Sequence, residues 1–172
     1  MIAVETDAVA AWGEAADWSA LAEDAARAAI AHSRYAALTE SALSVEISIK
    51  LTDDAEVQAL NAAYRNRNAP TNVLSFPMLD AALLPDLAAA DEGEILLGDI
   101  VIAHGICASE AAARDISIAA HTSHLVVHGV LHLLGYDHEQ GDEQAEAMES
   151  VERDALASIG IADPYEATEV RS

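Results

Sequence analysis

The sequence predicts an α+β fold: one domain in which a small mixed β-sheet packs with helices. Three observations carry this. The chain has 172 residues, enough for one domain with a real hydrophobic core. Apolar residues make up 52% of it, much of that alanine, which favours helix, while aromatics are 4%, so the core is aliphatic. Segments of period two and period 3.6 follow one another without the strict βα alternation of a doubly wound sheet.

The elements are read in chain order. Ile2 to Glu5 is a short strand. In WSALAEDAARAAIAH, residues 18–32, Trp18, Leu21, Ala25, Ala28 and Ala29 share one helical face. Leu43, Val45, Ile47, Ile49 and Leu51 alternate with polar residues, as in a half-buried strand. Thr52 or Asp53 caps the next helix, with Glu56 placed to complete a capping box, and that helix runs to about Tyr64. RNRNAPTN, residues 65–72, is a loop by composition, and VLSF at 73–76 is a strand stopped by Pro77. Residues 80–94 show no period and read as a long loop or hairpin tip.

ILLGDIVIA, residues 95–103, is strand-like. A short helix covers 107–114, a break falls near Asp115–Ser117, and a longer helix ends at Leu134. Gly135 stands where a helix end wants a left-handed residue, and a last helix covers about 141–158. No internal repeat or low-complexity linker divides the chain, so 1–172 is expected to be one domain, with 1–42 its least defined part.

Charge and cysteine content narrow the function classes. The formal net charge is −22, from 8 Lys+Arg against 30 Asp+Glu. Such a field repels nucleic acid at long range, so a nucleic-acid site must gather the few basic residues locally. Seven of the eight are arginine, and Arg65 and Arg67 lie two apart. The single cysteine, Cys107, allows no intrachain disulfide and fits a reducing compartment. The N-terminus is acidic and lacks a long apolar run, so neither a signal peptide nor a membrane span is expected, and the cytoplasm is the expected location. The eight glycines contain no GxGxxG and no GxxxxGK[ST], which argues against dinucleotide and P-loop sites.

The chemistry concentrates in HGVLHLLGYDH, residues 128–138. His128 and His132 are four apart and stack on one face of a helix. Two imidazoles so placed share one zinc at Zn–N distances of roughly 2.0–2.1 Å. Gly135 lets the chain turn back, so His138 reaches the same ion from outside the helix. Three protein ligands leave a fourth position open, as in catalytic zinc sites. An HxxxH pair alone is more often packing than a ligand pair; the glycine turn and third histidine make the difference. His124 extends the stripe, but eight residues of helix span roughly 12 Å, too far for one ion to take both ends. It is expected beside the site or in the core. His121, His104 and His32 read as structural or surface residues. The fold class is thereby completed by a zincin-like metal-site helix.

The spacing HxxxHxxGxxH is that of metzincin peptidases with one departure. Their first histidine is followed by a glutamate general base; here Gly129 stands there and cannot accept a proton.

The sequence resembles the YbeY endoribonucleases, single-domain bacterial ribosomal-RNA maturation factors. The family's central motif looks like HGxLHLxGYDH, matched throughout by 128–138. LNAAYRNRNAPTNVLSFP at 60–77, LGDIVIA at 97–103, and a tail with Met148, Glu152 and IGIADPY also match. The likeness is only general before Leu43 and across 80–94. The resemblance implies that His128, His132 and His138 bind one Zn²⁺ and that Arg65 is the functional arginine beside it. An arginine suits that role, because its planar fork of donors matches phosphate oxygens. Arg67 would be a supporting backbone contact or solvated. Asn72, Ser75, Asp99 and Asp137 are weaker candidates: Asn72 could simply order its loop, Ser75 only end a strand, Asp99 could orient a ligand histidine, and Asp137 could do that or accept a proton.

The resemblance further implies single-stranded RNA substrates, action at the 3′ end of 16S ribosomal RNA, ribosome quality control, and contact with the small ribosomal subunit and assembly factors. No DNA or membrane partner is expected. Two rivals remain open: a zinc hydrolase of peptides or small molecules, and a non-enzymatic assembly factor in which zinc only holds the fold.

Overall fold

The computed structural model describes residues 1–67, 71–90, 92–137 and 141–165. Four strands form one mixed sheet: β1 (Ile2–Ala8), β2 (Ser44–Thr52), β3 (Val73–Pro77) and β4 (Glu94–Ala103). Their order is β1-β2-β4-β3. β1 pairs with β2 and β2 with β4 in parallel; β3 runs antiparallel to β4 along the far edge. The helices are α1 (Trp18–His32), α2 (Asp54–Arg65), α3 (Leu84–Ala88), α4 (His104–Ala113), α5 (Ile118–Leu133) and α6 (Asp142–Ser158). This is the expected α+β architecture.

The alternation in β2 sends Val45, Ile47, Ile49 and Leu51 into the main core, where they meet the small-residue face of α1 and the apolar face of α5. That face of α1 is Ala22, Ala25, Ala26 and Ala29, all fully buried. Alanines let the helix lie close to its neighbours, which suits a core with almost no aromatic rings. A smaller cluster of Val57, Leu74, Val101 and Ala103 joins α2 to the opposite face of the sheet.

β1 runs three residues past the expected Glu5, paired along its length with β2, and two further differences from the sequence reading have a tertiary reason. α4 starts at His104, three residues earlier than expected, although Ala103 offers no capping side chain. The cap comes from another helix: Asp54 Oδ1 on α2 accepts from the Ile106 backbone N–H at 3.1 Å. Residues 80–94 are not wholly loop. Asp80 Oδ1 accepts from Ala82 N–H and starts a 3₁₀ turn that leads into α3, whose Leu84 is fully buried. The capping box before α2 is half formed: Asp53 Oδ1 accepts from Glu56 N–H at 2.8 Å, but the Glu56 carboxylate turns to Lys50 at 2.8 Å. The bond to lysine holds the Glu56 carboxyl below its usual range.

One irregularity in the sheet bears on function. Glu46 pairs with Leu96 while Ile47 pairs with Gly98, so Leu97 is an extra residue in β4. Such a bulge shifts the two-residue alternation by one. Ile95 and Leu97 face the main core before it, Ile100 and Ile102 after it. Asp99 consequently points to the other face, into an open groove of about 1050 Å³ shared with Lys50 and Tyr64. It cannot orient a ligand histidine, and the sequence reading of Asp99 is corrected on this point.

Candidate functional site

α5 packs against β3 and β4 so closely that Gly129 leaves little room for a side chain. A Cβ on Gly129 would sit 3.1 Å from both Cδ1 and Cγ2 of Ile100, which is fully buried. The position after the first motif histidine therefore faces the core, and the glutamate base of the metzincins has no room there. Gly129→Ala is expected to lower the melting temperature. Overpacking costs about 1–3 kcal/mol, more than the roughly 1 kcal/mol that alanine gains over glycine in a helix. A melting temperature equal to the parent's would show that α5 can step back from β4.

On the outward side of the same turn, His128 and His132 face each other. Their Nε2 atoms are 3.0 Å apart. Two ligands of one tetrahedral zinc stand about 3.3 Å apart at ordinary Zn–N lengths. The donor chemistry and the spacing thus fit a metal. His138 lies outside the described residues, and among the described residues no three His, Cys, Asp or Glu side chains form a metal-holding group. At the end of α5, Gly135 has φ +96°, the left-handed turn expected there. A Cβ on it would lie 2.8 Å from that of Ala81, so the turn is also packed from outside.

The residue that orients His128 is Glu152 on α6, with 1% of its surface exposed. Its Oε1 accepts from His128 Nδ1 at 3.0 Å, and its Oε2 accepts from His124 Nε2 at 2.7 Å and from Tyr165 Oη at 2.6 Å. With the Nδ1 proton given to Glu152, His128 presents the Nε2 lone pair to the cleft. Burial pushes the Glu152 carboxyl up, but the bonds from His124 and His128 outweigh it and hold it at about 2. Burial, and then the Glu152 charge, drive the Tyr165 hydroxyl well above its usual range, so it stays a donor. The sequence reading placed the orienting carboxylate at Asp99 or Asp137. Glu152 stands 24 positions from His128, and only its place in the resembling tail marked it.

The cleft around the histidines has a volume of about 540 Å³ and is lined by Arg65, Arg67, Asn72, Ser75 and Asp137 among others. Arg65 closes α2 and reaches across to β3, its Nη2 donating to the Ser75 carbonyl at 3.4 Å. Ser75 Oγ in turn donates to the Gly129 carbonyl at 3.3 Å, tying β3 to α5. Asn72 orders its loop as expected: Oδ1 accepts from Val73 N–H at 2.7 Å and Nδ2 donates to Glu110 at 3.0 Å. The same Glu110 Oε1 bonds His121 Nε2 at 2.9 Å. Burial lowers the His121 pKa against the pull of that carboxylate. His121 and His124 are thus both buried and bonded, and His104 rests edge-on against Trp12. The thiol of Cys107 is buried beside Thr122, and burial raises its pKa to about 11, which makes it a packing residue.

The two arginines and the histidine pair therefore share one recess, as a phosphate site in so acidic a chain requires. The larger groove on the other sheet face contains no histidine or arginine. Among the described residues no helix is long and apolar enough to cross a membrane.

The family model described as endoribonuclease YbeY matches residues 11–160. Endoribonuclease YbeY of Sphingopyxis alaskensis is 55% identical over 96% of this chain and 98% of its own length. That of Rhizorhabdus wittichii is 52% identical over 98% of this chain and 99% of its own. The solution structure of TM1509 from Thermotoga maritima, at 22% identity, superposes with a TM-score of 0.55 over 92% of this chain and 91% of that one, which is a likeness of fold. With the histidine pair, the cleft arginines and matches of this extent, the chain belongs to the YbeY endoribonuclease family.

Proposed function

We propose that this chain is a zinc-dependent endoribonuclease that cuts single-stranded RNA, with 16S ribosomal RNA at its 3′ end as substrate and a part in ribosome quality control. The observation that carries the reading is the His128–His132 pair, Nε2 atoms 3.0 Å apart, in a cleft that also holds Arg65 and Arg67. The names of its relatives support the RNA substrate. His128, His132 and His138 would hold the ion. When bound, zinc supplies Lewis acidity toward a phosphate oxygen or a water.

The rest is the work of the chain's own residues. Glu152 keeps the His128 ring turned so that Nε2 faces the cleft. Arg65 spends one donor on Ser75 and offers its remaining N–H groups to the oxygens of the scissile phosphate. Arg67 holds a neighbouring stretch of backbone. The small ribosomal subunit and its assembly factors are the proposed partners, and the cytoplasm is the proposed location.

Metal removal tests the proposal. Protein stripped with a chelator should lose cleavage of a single-stranded RNA oligonucleotide and regain it with stoichiometric zinc, while its far-ultraviolet circular dichroism stays native. Zinc-loaded protein that leaves RNA intact would sink the enzymatic reading. Unfolding on metal removal would favour a zinc that only holds the fold.

A further inference from the structure

A second recess of about 320 Å³ adjoins the cleft at the Gly135 turn; it shares Gly135, Tyr136 and Asp137 and adds Arg34, Gln144 and Ala147. Arg34 follows directly on the end of α1, and its guanidinium lies 4.2 Å over the centre of the Tyr136 ring. Tyr136 is itself fixed, with 7% of its surface exposed and its hydroxyl accepting from the Arg34 backbone N–H at 3.0 Å. The guanidinium is thereby seated over the tyrosine ring, while the Arg34 side chain stays exposed to solvent.

The charges point the same way. In a chain with 30 acidic residues, most cations should find a carboxylate. Arg27 pairs with Glu23, Lys50 with Glu56 and Arg153 with Asp163. Arg34, Arg65 and Arg67 form no ion pair among the described residues, and all three line the cleft or its continuation. Cations kept from internal carboxylates hold their field for an external anion. Asp137 is the one acid among the residues lining the two recesses, and it borders both.

We propose that the recess of Arg34 and Tyr136 is a second nucleotide subsite, which takes the residue flanking the scissile phosphate of a single-stranded RNA. The inference rests on the RNA reading above. Arg34 would bind that nucleotide's phosphate with its edge and stack the base on its outer face, with Gln144 offering its amide to the base edge. Stacking of an unpaired base on a guanidinium plane is a common way to recognise single strands, and a duplex cannot present its bases so.

The test is equilibrium binding of a fluorescent 2′-O-methyl RNA decamer, checked to be intact on a gel after each titration, across a range of salt concentrations, alongside cleavage of the matching RNA by the zinc-loaded parent. Arg34→Ala should bind about fivefold more weakly or worse, and the slope of log K against log salt should shrink by about 0.7. Arg34→Lys should keep the parental slope but not the affinity, because lysine carries the charge without the plane. Should Arg34→Ala fail to fold, Arg34→Lys alone carries the test. Arg27→Ala controls for net charge and should match the parent. If the parent binds and cuts RNA and both Arg34 variants bind as it does, the subsite is wrong and the RNA reading stands. If the parent neither binds nor cuts RNA, the functional reading itself fails.

Discussion

Glu152→Gln should weaken zinc binding about 10- to 100-fold, the usual effect of losing a carboxylate that orients a ligand histidine. The amide keeps the shape but offers one acceptor atom where three donors converge, from His124, His128 and Tyr165. With the amide oxygen toward His124 and Tyr165, the amide NH2 faces His128 Nδ1. The ring then either switches tautomer and loses its Nε2 lone pair, or leaves a buried donor unsatisfied at about 1–3 kcal/mol. Competition with a chromophoric chelator measures the first effect and thermal melting the second. A nitrogen-resolved spectrum of the His128 ring separates the two: in the parent the proton sits on Nδ1, and in the variant that preference should weaken. Parental zinc affinity in Glu152→Gln would show that the bond to His128 is packing alone.

The same carboxylate shapes the acid limb of stability. Its folded pKa lies at about 2, below the ordinary carboxylate value. A depressed pKa contributes stability that is fully present above the unfolded value, near pH 4.3, and is lost as pH falls through the folded one. Between these two values the parent should lose more stability than Glu152→Gln does. Equal acid limbs for the two proteins would contradict the assignment.

Arg65→Ala should lower the turnover of RNA by about 10²- to 10³-fold, the range for removing one preorganised donor from a developing oxyanion. Zinc content should not change, since Arg65 is bonded to Ser75 rather than to the histidines. Arg65→Lys should recover only part of the rate, because a point charge cannot offer two parallel bonds to a phosphate. Single-turnover cleavage at saturating RNA isolates this effect from binding. Arg65→Ala cutting as fast as the parent would remove the arginine from the mechanism.

Local pattern made much of this molecule legible. α1 occupies 18–32, as its alanine face requires, and β2 alternates where Val45 to Leu51 alternate. The metal helix ends at Leu133, with the Gly135 turn after it, because a left-handed residue there suits glycine. The pair His128–His132 followed from helix geometry alone. Sequence spacing also identified Gly129 as the residue that removes a peptidase base. The structure adds why it must be glycine: Ile100 of β4 fills the space.

Long-range placement was out of reach of the sequence, because it depends on which distant segments the fold brings together. α4 begins early through a cap from Asp54, some fifty positions away in the chain. A single extra residue at Leu97 turned Asp99 to the wrong face, and no periodicity in LGDIVIA announces a bulge. Glu152 sits on an exposed-looking acidic helix, and only the packing of α6 against α5 makes it the buried partner of two histidines. What the sequence alone determined was the set of chemical groups and their spacing along one helix, since those follow from 3.6 residues per turn. The tertiary structure decided which carboxylate serves the histidines and which arginines remain unpaired in the cleft, because both depend on contacts between elements far apart in the chain.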